Sequence, residues 1–231
     1  MAERSKINAK INLIMKRTVK IAGEARVFNG YTKVDKALIE DVLESGKVDK
    51  YSREKVVRPD AVTGLIYNTD TETVVLIRQY RYPTHSDKRS GFIYEAIAGK
   101  IDNDEDPQVA FKRECLEEVG YKLKNKNIQF CSWHFATPGY STEKLYFYLA
   151  KATNKDKINK GGGVKGEHEH IEVCEFHYLQ FKSMMDDMED LKTKFLAYEA
   201  HYRKFFEKNT KLIIEKSLKK NNDNEIQYKC F

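Results

Sequence analysis

GKIDNDEDPQVAFKRECLEEVGY, residues Gly99 to Tyr121, carries more constrained chemistry than any other stretch of the chain, and the rest of the molecule can be placed around it. Asp106 is a good helix N-cap, because its side chain accepts from free N–H groups of the first turn. Pro107 suits the first helical position, where no N–H is needed, and Gly120 suits the residue just past the end, where a left-handed backbone is wanted. The spacing predicts a helix of about three and a half turns between them. On its wheel Val109, Cys115, Leu116 and Val119 share one arc, expected to face a core, while Ala110, Glu114, Glu117 and Glu118 fall on the other side. Three carboxylates at i, i+3 and i+4 repel, each like-charged pair costing roughly 0.2–0.5 kcal/mol. One reading is a solvated acidic face. The other is a site for a hard divalent cation, since Mg²⁺ takes oxygens from one or two carboxylates and completes its shell with water and substrate phosphates.

The wider pattern favours the second reading. Gly99, five residues, Glu105, seven residues, then Arg113-Glu114-Cys115-Leu116-Glu117-Glu118-Val119-Gly120-Tyr121 resembles the Nudix box of the Nudix hydrolases, with Cys115 and Tyr121 in the two bulky apolar slots. The resemblance implies a loop–helix–loop that binds Mg²⁺ or Mn²⁺ and hydrolyses a nucleoside diphosphate linked to another group. Glu114 and Glu118 would be the principal metal ligands, helped by Glu117 and the backbone carbonyl of Ala98. Arg113 and Glu105 would orient the loop and the ligands.

Composition sets the outer bounds. A chain of 231 residues with 41% apolar content can bury a packed core, and one main domain is expected. The net charge of +6, with 33% charged residues and scattered lysines, suits a small anionic substrate and gives no basic stripe with interleaved aromatics, so nucleic acid is not the expected partner. Cys115, Cys131, Cys174 and Cys230 form no CxxC pair and read as free thiols in a reducing compartment. The N-terminal MAERSKINAKINLIMKR lacks the sustained apolar core of a secretory signal, and no apolar run approaches the ~18 residues of a membrane span, so a cytoplasmic protein is expected.

Residues 1–58 are mixed. INLIMKRTVKIAG and ARVFNGYTKVDKAL have strand character, whereas KALIEDVLESG has apolar residues at helical spacing. From Pro59, AVTGLIYNTDTETVVLIRQYRYP reads as a hairpin with strands near 61–67 and 73–80. Alternation in the second strand sends Arg78 and Tyr80 to one side and Gln79 and Arg81 to the other. FIYEAIAG is a strand leading into the box, with Glu95 either pointing to solvent or joining the metal site. KNIQFCSWHFATPG and EKLYFYLAKA are two more strands, joined through Thr137-Pro138-Gly139. Gly161-Gly162-Gly163 is expected to make a mobile, hinge-like loop, followed by EHEH and the strand IEVCEF. From Lys182, Met184, Met188, Leu191, Phe195, Leu196, Tyr198, Tyr202, Phe205 and Phe206 recur at helical spacing and predict one or two helices packed on the sheet, ahead of a polar, frayed end.

Three of these segments extend the resemblance to the nucleoside diphosphate sugar pyrophosphatase branch of the family. The RQYR run resembles a substrate-binding element there, so Arg78 and Arg81 are candidate diphosphate contacts. Thr137-Pro138-Gly139-Tyr140 resembles a loop that abuts the substrate, making Tyr140, with Trp133, a candidate to stack on a base, although most strand aromatics are core. Glu95 stands where members of the branch often carry a functional acid. The GGGV run with its following acids closely resembles the GDP-mannose hydrolysing enzymes and, less closely, those acting on ADP-ribose and UDP-glucose. It implies Glu167 as the water-activating base, in a catalytic group with Glu117 and Arg113, and Glu169 as the alternative base or an accessory ligand. A transition-metal pair from His168 and His170 is the competing reading of EHEH.

The expectation is therefore an α/β protein with a Nudix fold, a mixed β-sheet sandwiched between helices. By the resemblance to the nucleotide-sugar branch, residues 1–58 would be dimerisation strands of a homodimer, with a floppy extension as the alternative, and 59–231 the hydrolase domain with a C-terminal helical extension. The expected activity is metal-dependent hydrolysis of a nucleoside diphosphate sugar to a nucleoside monophosphate and a sugar phosphate. A catalytically silent nucleotide-sugar sensor and a hydrolase of capped RNA or dinucleoside polyphosphates are the alternatives.

Overall fold

A computed structural model describes residues 17–164, 166 and 169–207. Two compact units emerge from the described chain. One comprises the residues up to Ala61 together with Trp133–Tyr146, and the other comprises Val62–Ser132 together with the chain from Phe147.

The first unit is an antiparallel meander of β1 (Thr18–Asn29), β2 (Lys33–Val42) and β3 (Val48–Val57), in that spatial order. The helical spacing in KALIEDVLESG misleads, since most of it lies in β2. There Asp35, Ala37 and Asp41 are buried and alternate with exposed Lys36 and Leu38, the two-residue period of a strand. Pairing on both edges, with Arg26 on Asp35 and Arg17 on Asp41 across to β1, overrides the local helix preference. The 136–143 connection is fastened to this unit. Val56 N–H donates to the Tyr140 carbonyl at 2.7 Å, and Arg58 N–H to Thr142 Oγ1 at 2.9 Å.

The remaining strands are β4 (Ala61–Asn68), β5 (Thr73–Tyr80), β6 (Phe92–Glu95), β7 (Ile97–Lys100), β8 (Ile128–Phe135), β9 (Lys144–Ala152) and β10 (Glu172–His177), of which Ala61 and residues 133–135 and 144–146 fall in the first unit and the rest in the second. Their mixed sheet runs β10-β5-β4-β9-β8, with β6 on β5 and β7 on β4. FIYEAIAG is two strands rather than one. Ala96 breaks the ladder because its N–H turns to Thr193 Oγ1, at 2.5 Å.

Helix α1 (Pro107–Val119) covers one face of the sheet. Phe111 stacks on Tyr148 at 5.1 Å and lies flat on Gly64, where a Cβ would fall 2.5 Å from the ring. Helices α2 (Tyr178–Met184) and α3 (Leu191–Tyr202) cover the other. Phe195 meets Phe147 at 4.6 Å, Phe206 meets Tyr67 at 5.3 Å, and Phe181, Leu196, Ala197 and Ala200 are fully buried. The helical C-terminal reading holds, but Leu191, Tyr198 and Tyr202 of its apolar series are exposed. The polar end beyond Glu207, with Cys230, lies outside the described residues.

Candidate active site on the box helix

Local chemistry places α1 where the sequence predicts it. Asp106 Oδ1 accepts from Gln108 N–H (2.8 Å) and Val109 N–H (3.3 Å), Pro107 opens the helix, and Gly120 closes it at φ +77°. The faces differ from the expected division. Ala110, Phe111, Glu114, Cys115, Glu118 and Val119 form the buried arc, whereas Val109 is exposed. Glu114 and Glu118 are thus inside, 9% and 3% exposed, rather than on an outward acidic face. An apolar count cannot see this, because the two acids occupy helix positions between Ala110 and Cys115 and enter the interior with them.

The loop before the helix is shaped around these acids. A Cβ on Gly99 would sit 1.8 Å from the Glu114 carboxyl carbon, so the glycine leaves the space that the carboxylate fills. Ala98 N–H donates to Glu118 Oε2 at 3.1 Å. Arg113 gathers the other side. Its guanidinium donates to both oxygens of Glu105 (3.1 and 2.9 Å), to Glu114 (2.6 Å), to Glu117 (3.2 Å) and to the Lys100 carbonyl (2.9 Å). Arg113 holds the Glu105 carboxyl below the usual carboxylate range.

The two interior acids behave in the opposite way. Burial pushes Glu114 up to about 7, with Arg113 only partly offsetting it. Burial, reinforced by Glu114 and Glu169, pushes Glu118 well above the normal range. Two neighbouring carboxyls that cannot both ionise without compensation need either a proton or a cation. Among the described residues no group of three or more His, Cys, Asp or Glu side chains is arranged to hold a metal ion. An open pair with a third acid at its edge matches the chemistry of Mg²⁺, which leaves most of its shell to water and phosphate. Glu114, Glu118, Glu117 and the Ala98 backbone would hold such an ion.

The remaining candidates fall in different places. β5 and β6 pair Ile77 with Glu95 and Arg78 with Tyr94, so Arg81 and Glu95 share one sheet face and Arg78 takes the other. Arg81 Nε donates to Glu95 Oε2 at 2.7 Å, and its charge reaches Glu118. Arg78 instead pairs with Glu172 (2.9 Å) and lies 4.6 Å above the Phe92 ring. The structure therefore brings Arg81, not Arg78, to the carboxylate side. Glu95 is neither solvent-facing nor isolated. It is 4% exposed and also accepts from Lys192 Nζ at 3.4 Å, which in turn is bound to Asp190 at 2.6 Å. Sequence reasoning missed this Asp190–Lys192 pair. The signal that could have found it is the Asp190 N-cap, whose Oδ2 accepts from Thr193 N–H at 2.9 Å, since an aspartate before an apolar helical series marks a helix start.

Tyr140 is 58% exposed in the first unit, and Trp133 packs edge-on against Phe135 there. Glu167 and His168 lie outside the described residues. Glu169 is described, half-buried beside Gly163, while His170 is exposed. The triple glycine is not free backbone. Gly162 and Gly163 N–H groups donate to the carbonyls of Glu118 (2.8 Å) and Glu117 (3.1 Å), closing the end of α1.

Fold and site together define an α/β protein in which a loop–helix–loop sets buried acids beside an arginine at one side of a mixed sheet. The NUDIX domain family model matches residues 57–197, and the chain belongs to that family. A GDP-mannose pyrophosphatase of Pectobacterium atrosepticum is 38% identical over 168 residues, covering 71% of this chain and 84% of the relative. The GDP-mannose pyrophosphatase of Escherichia coli K12 is 38% identical over 156 residues, covering 66% and 79%. A solved structure described as an ADP compounds hydrolase superposes with a TM-score of 0.60 at 18% identity, covering 80% of this chain and 93% of that one, and so supports the fold. The α/β fold and the pyrophosphate-cleaving enzyme class expected from the box stand. Divalent-metal use is general in the family. Among the described residues no helix is long and apolar enough to cross a membrane.

Proposed function

We propose that this chain hydrolyses the diphosphate of a nucleoside diphosphate sugar in the presence of Mg²⁺ or Mn²⁺, releasing a nucleoside monophosphate and a sugar phosphate. GDP-mannose is the first substrate to try, from the names of the relatives, and ADP-ribose the second. The observation that carries the reading is the buried Glu114–Glu118 pair, with Glu114 against Gly99, Glu118 on the Ala98 N–H, and burial disfavouring the charged form of both.

A divalent cation bound there would supply charge neutralisation for the diphosphate and polarise the attacked phosphorus. The protein's own groups do the rest. Arg113 sets the rotamers of Glu114 and Glu117 by donating to both, and Glu105 holds Arg113 in place. Arg81, braced by Glu95, offers a guanidinium on the same sheet face for phosphate oxygens. Glu167, with Glu169 as the other candidate, takes the proton of the attacking water, a contribution of typically ~10²–10⁴-fold. Phosphoryl transfer asks little more of a protein than such positioning and electrostatics.

The test is a panel of nucleotide sugars, capped RNA and dinucleoside polyphosphates, incubated with Mg²⁺ and with both products identified. Monophosphate and sugar phosphate from a nucleotide sugar is the expected result. Binding without cleavage would make the protein a sensor, and turnover confined to capped RNA or dinucleoside polyphosphates would replace the substrate class.

A further inference from the structure

The last turn of α1 leaves carbonyls that the helix cannot satisfy. Those of Cys115 and Leu116 accept locally, from Tyr121 N–H (2.9 Å) and Gly120 N–H (3.2 Å). Those of Glu117 and Glu118 accept from Gly163 and Gly162, far along the chain, at 3.1 and 2.8 Å. The approach is prepared by Ile158 N–H on the Gly120 carbonyl (2.9 Å) and by Gly161 N–H on Asn159 Oδ1 (2.7 Å). The three glycines have φ of +67°, +110° and +85°, a region that side chains disfavour. A Cβ on Gly161 would stand 2.3 Å from the Glu118 carbonyl oxygen and 2.6 Å from Val119 Cα, so only glycine lets the two backbones lie this close. On the far side of the run, a Cβ on Gly163 would stand 2.9 Å from the Cβ of Glu169.

We infer that Gly161-Gly162-Gly163 is a positioning clasp: the Gly162 and Gly163 N–H groups bind the carbonyls of Glu118 and Glu117 and thereby fix Glu169, which lies against Gly163, relative to the ligand-bearing end of the box helix. The inference rests on the hydrolase reading above for the roles of those acids. It replaces the hinge expected from three consecutive glycines, because here their missing side chains serve close approach and not looseness. One hydrogen bond thus joins the peptide of Glu117, and another that of Glu118, to the segment that carries Glu169. A wedge at the clasp displaces the two sets of acids relative to each other without altering either.

Two measurements on the full chain decide it. In the wild type, hydrogen exchange followed by NMR should find the Gly162 and Gly163 amides at least ~10-fold slower than in an unstructured peptide. Exchange at free-peptide rates would overturn the clasp. In Gly161→Ala, kcat on the best nucleotide sugar should fall at least ~30-fold, the scale of a misplacement under 1 Å. KM and the Mn²⁺ affinity of the substrate-free protein, read by electron paramagnetic resonance, should both stay within about threefold, because the helix's own ligands are intact. A merely structural cap would lower the Tm and leave the kcat of folded protein within about threefold, which overturns the inference. Should Gly161→Ala fail to fold, Gly163→Ala, whose Cβ meets the Glu169 side chain and not helix backbone, is judged by the same criteria. A wild type inactive on every nucleotide sugar removes the hydrolase reading, while amide exchange still decides whether the clasp exists.

Discussion

At the scale of single residues, Glu114 and Glu118 present an energetic problem that function resolves. Each carboxyl has its folded-state titration moved upward, Glu114 to about 7, because burial first and neighbouring acids second disfavour the charged form. The folded chain therefore holds protons that the unfolded chain has released, and the sign follows. This contribution to stability is fully present below the unfolded value near 4.5 and is lost as pH rises through about 7. For Glu114 a shift of that size corresponds to roughly 3 kcal/mol, or on the order of 6–12 °C in Tm for a domain of this size. Metal-free protein should lose Tm steadily between pH 5 and pH 7.5, and Glu114→Gln should flatten the decline. A Tm indifferent to pH in thermal scans would show that the pair is not strained. Glu118→Gln separates the two roles of the neighbouring acid. The amide keeps the shape and drops the charge, so Tm should be equal or higher while turnover at matched Mg²⁺ falls at least ~10²-fold. Wild-type rates in that variant would remove Glu118 from the site.

At the scale of elements, the box helix was legible because its ends are written in local chemistry. Asp106, Pro107 and Gly120 each answer a backbone need that does not depend on the rest of the molecule. Asp106→Ala should accordingly cost ~1 kcal/mol, seen as a Tm lower by about 2–4 °C, with kcat unchanged. The β4–β5 hairpin was legible for the same reason, its two β-branched runs being separated by a polar turn. What escaped was fixed by partners distant in sequence. The KALIEDV segment is a strand because β1 and β3 pair with it, and Ala96 interrupts β6 and β7 because Thr193 captures its N–H. Glu114 turns inward because the loop at Gly99 leaves a space for it, and Glu118 because the Ala98 N–H beside that space receives it. Gly99→Ala should show how tightly loop and helix are matched. A methyl 1.8 Å from the Glu114 carboxyl carbon must displace the acid, and kcat should fall on the order of 10²-fold even where the protein still folds. Retained activity would mean that the carboxylate has another productive position.

At the scale of the whole molecule, the first unit carries a surface that a lone chain should not leave open. All twelve residues of β1 are exposed, and Val19, Ile21, Val27 and Phe28 are 55–64% so. Among the described residues the strand is also an edge, paired with β2 alone, so that no described strand takes up its second row of backbone donors and acceptors. Long apolar edge strands are aggregation templates unless something covers them. We propose that a second copy does, as the resemblance to the nucleotide-sugar branch implies. An isologous contact uses the same patch on both subunits, so one substitution acts twice on it. Val19 and Ile21, two residues apart, project from the same side of the strand. Sedimentation velocity at about 10 µM should find twice the chain mass for the wild type, since interfaces of ~1,600 Å² commonly hold at such concentrations. The double variant Val19→Glu, Ile21→Glu places four like charges in the contact and should sediment as a single chain, with a Tm lower than that of the dimer because the stabilisation by association is lost. A monomeric wild type would leave β1 without a role as an interface, and a dimeric double variant would move the contact to another face.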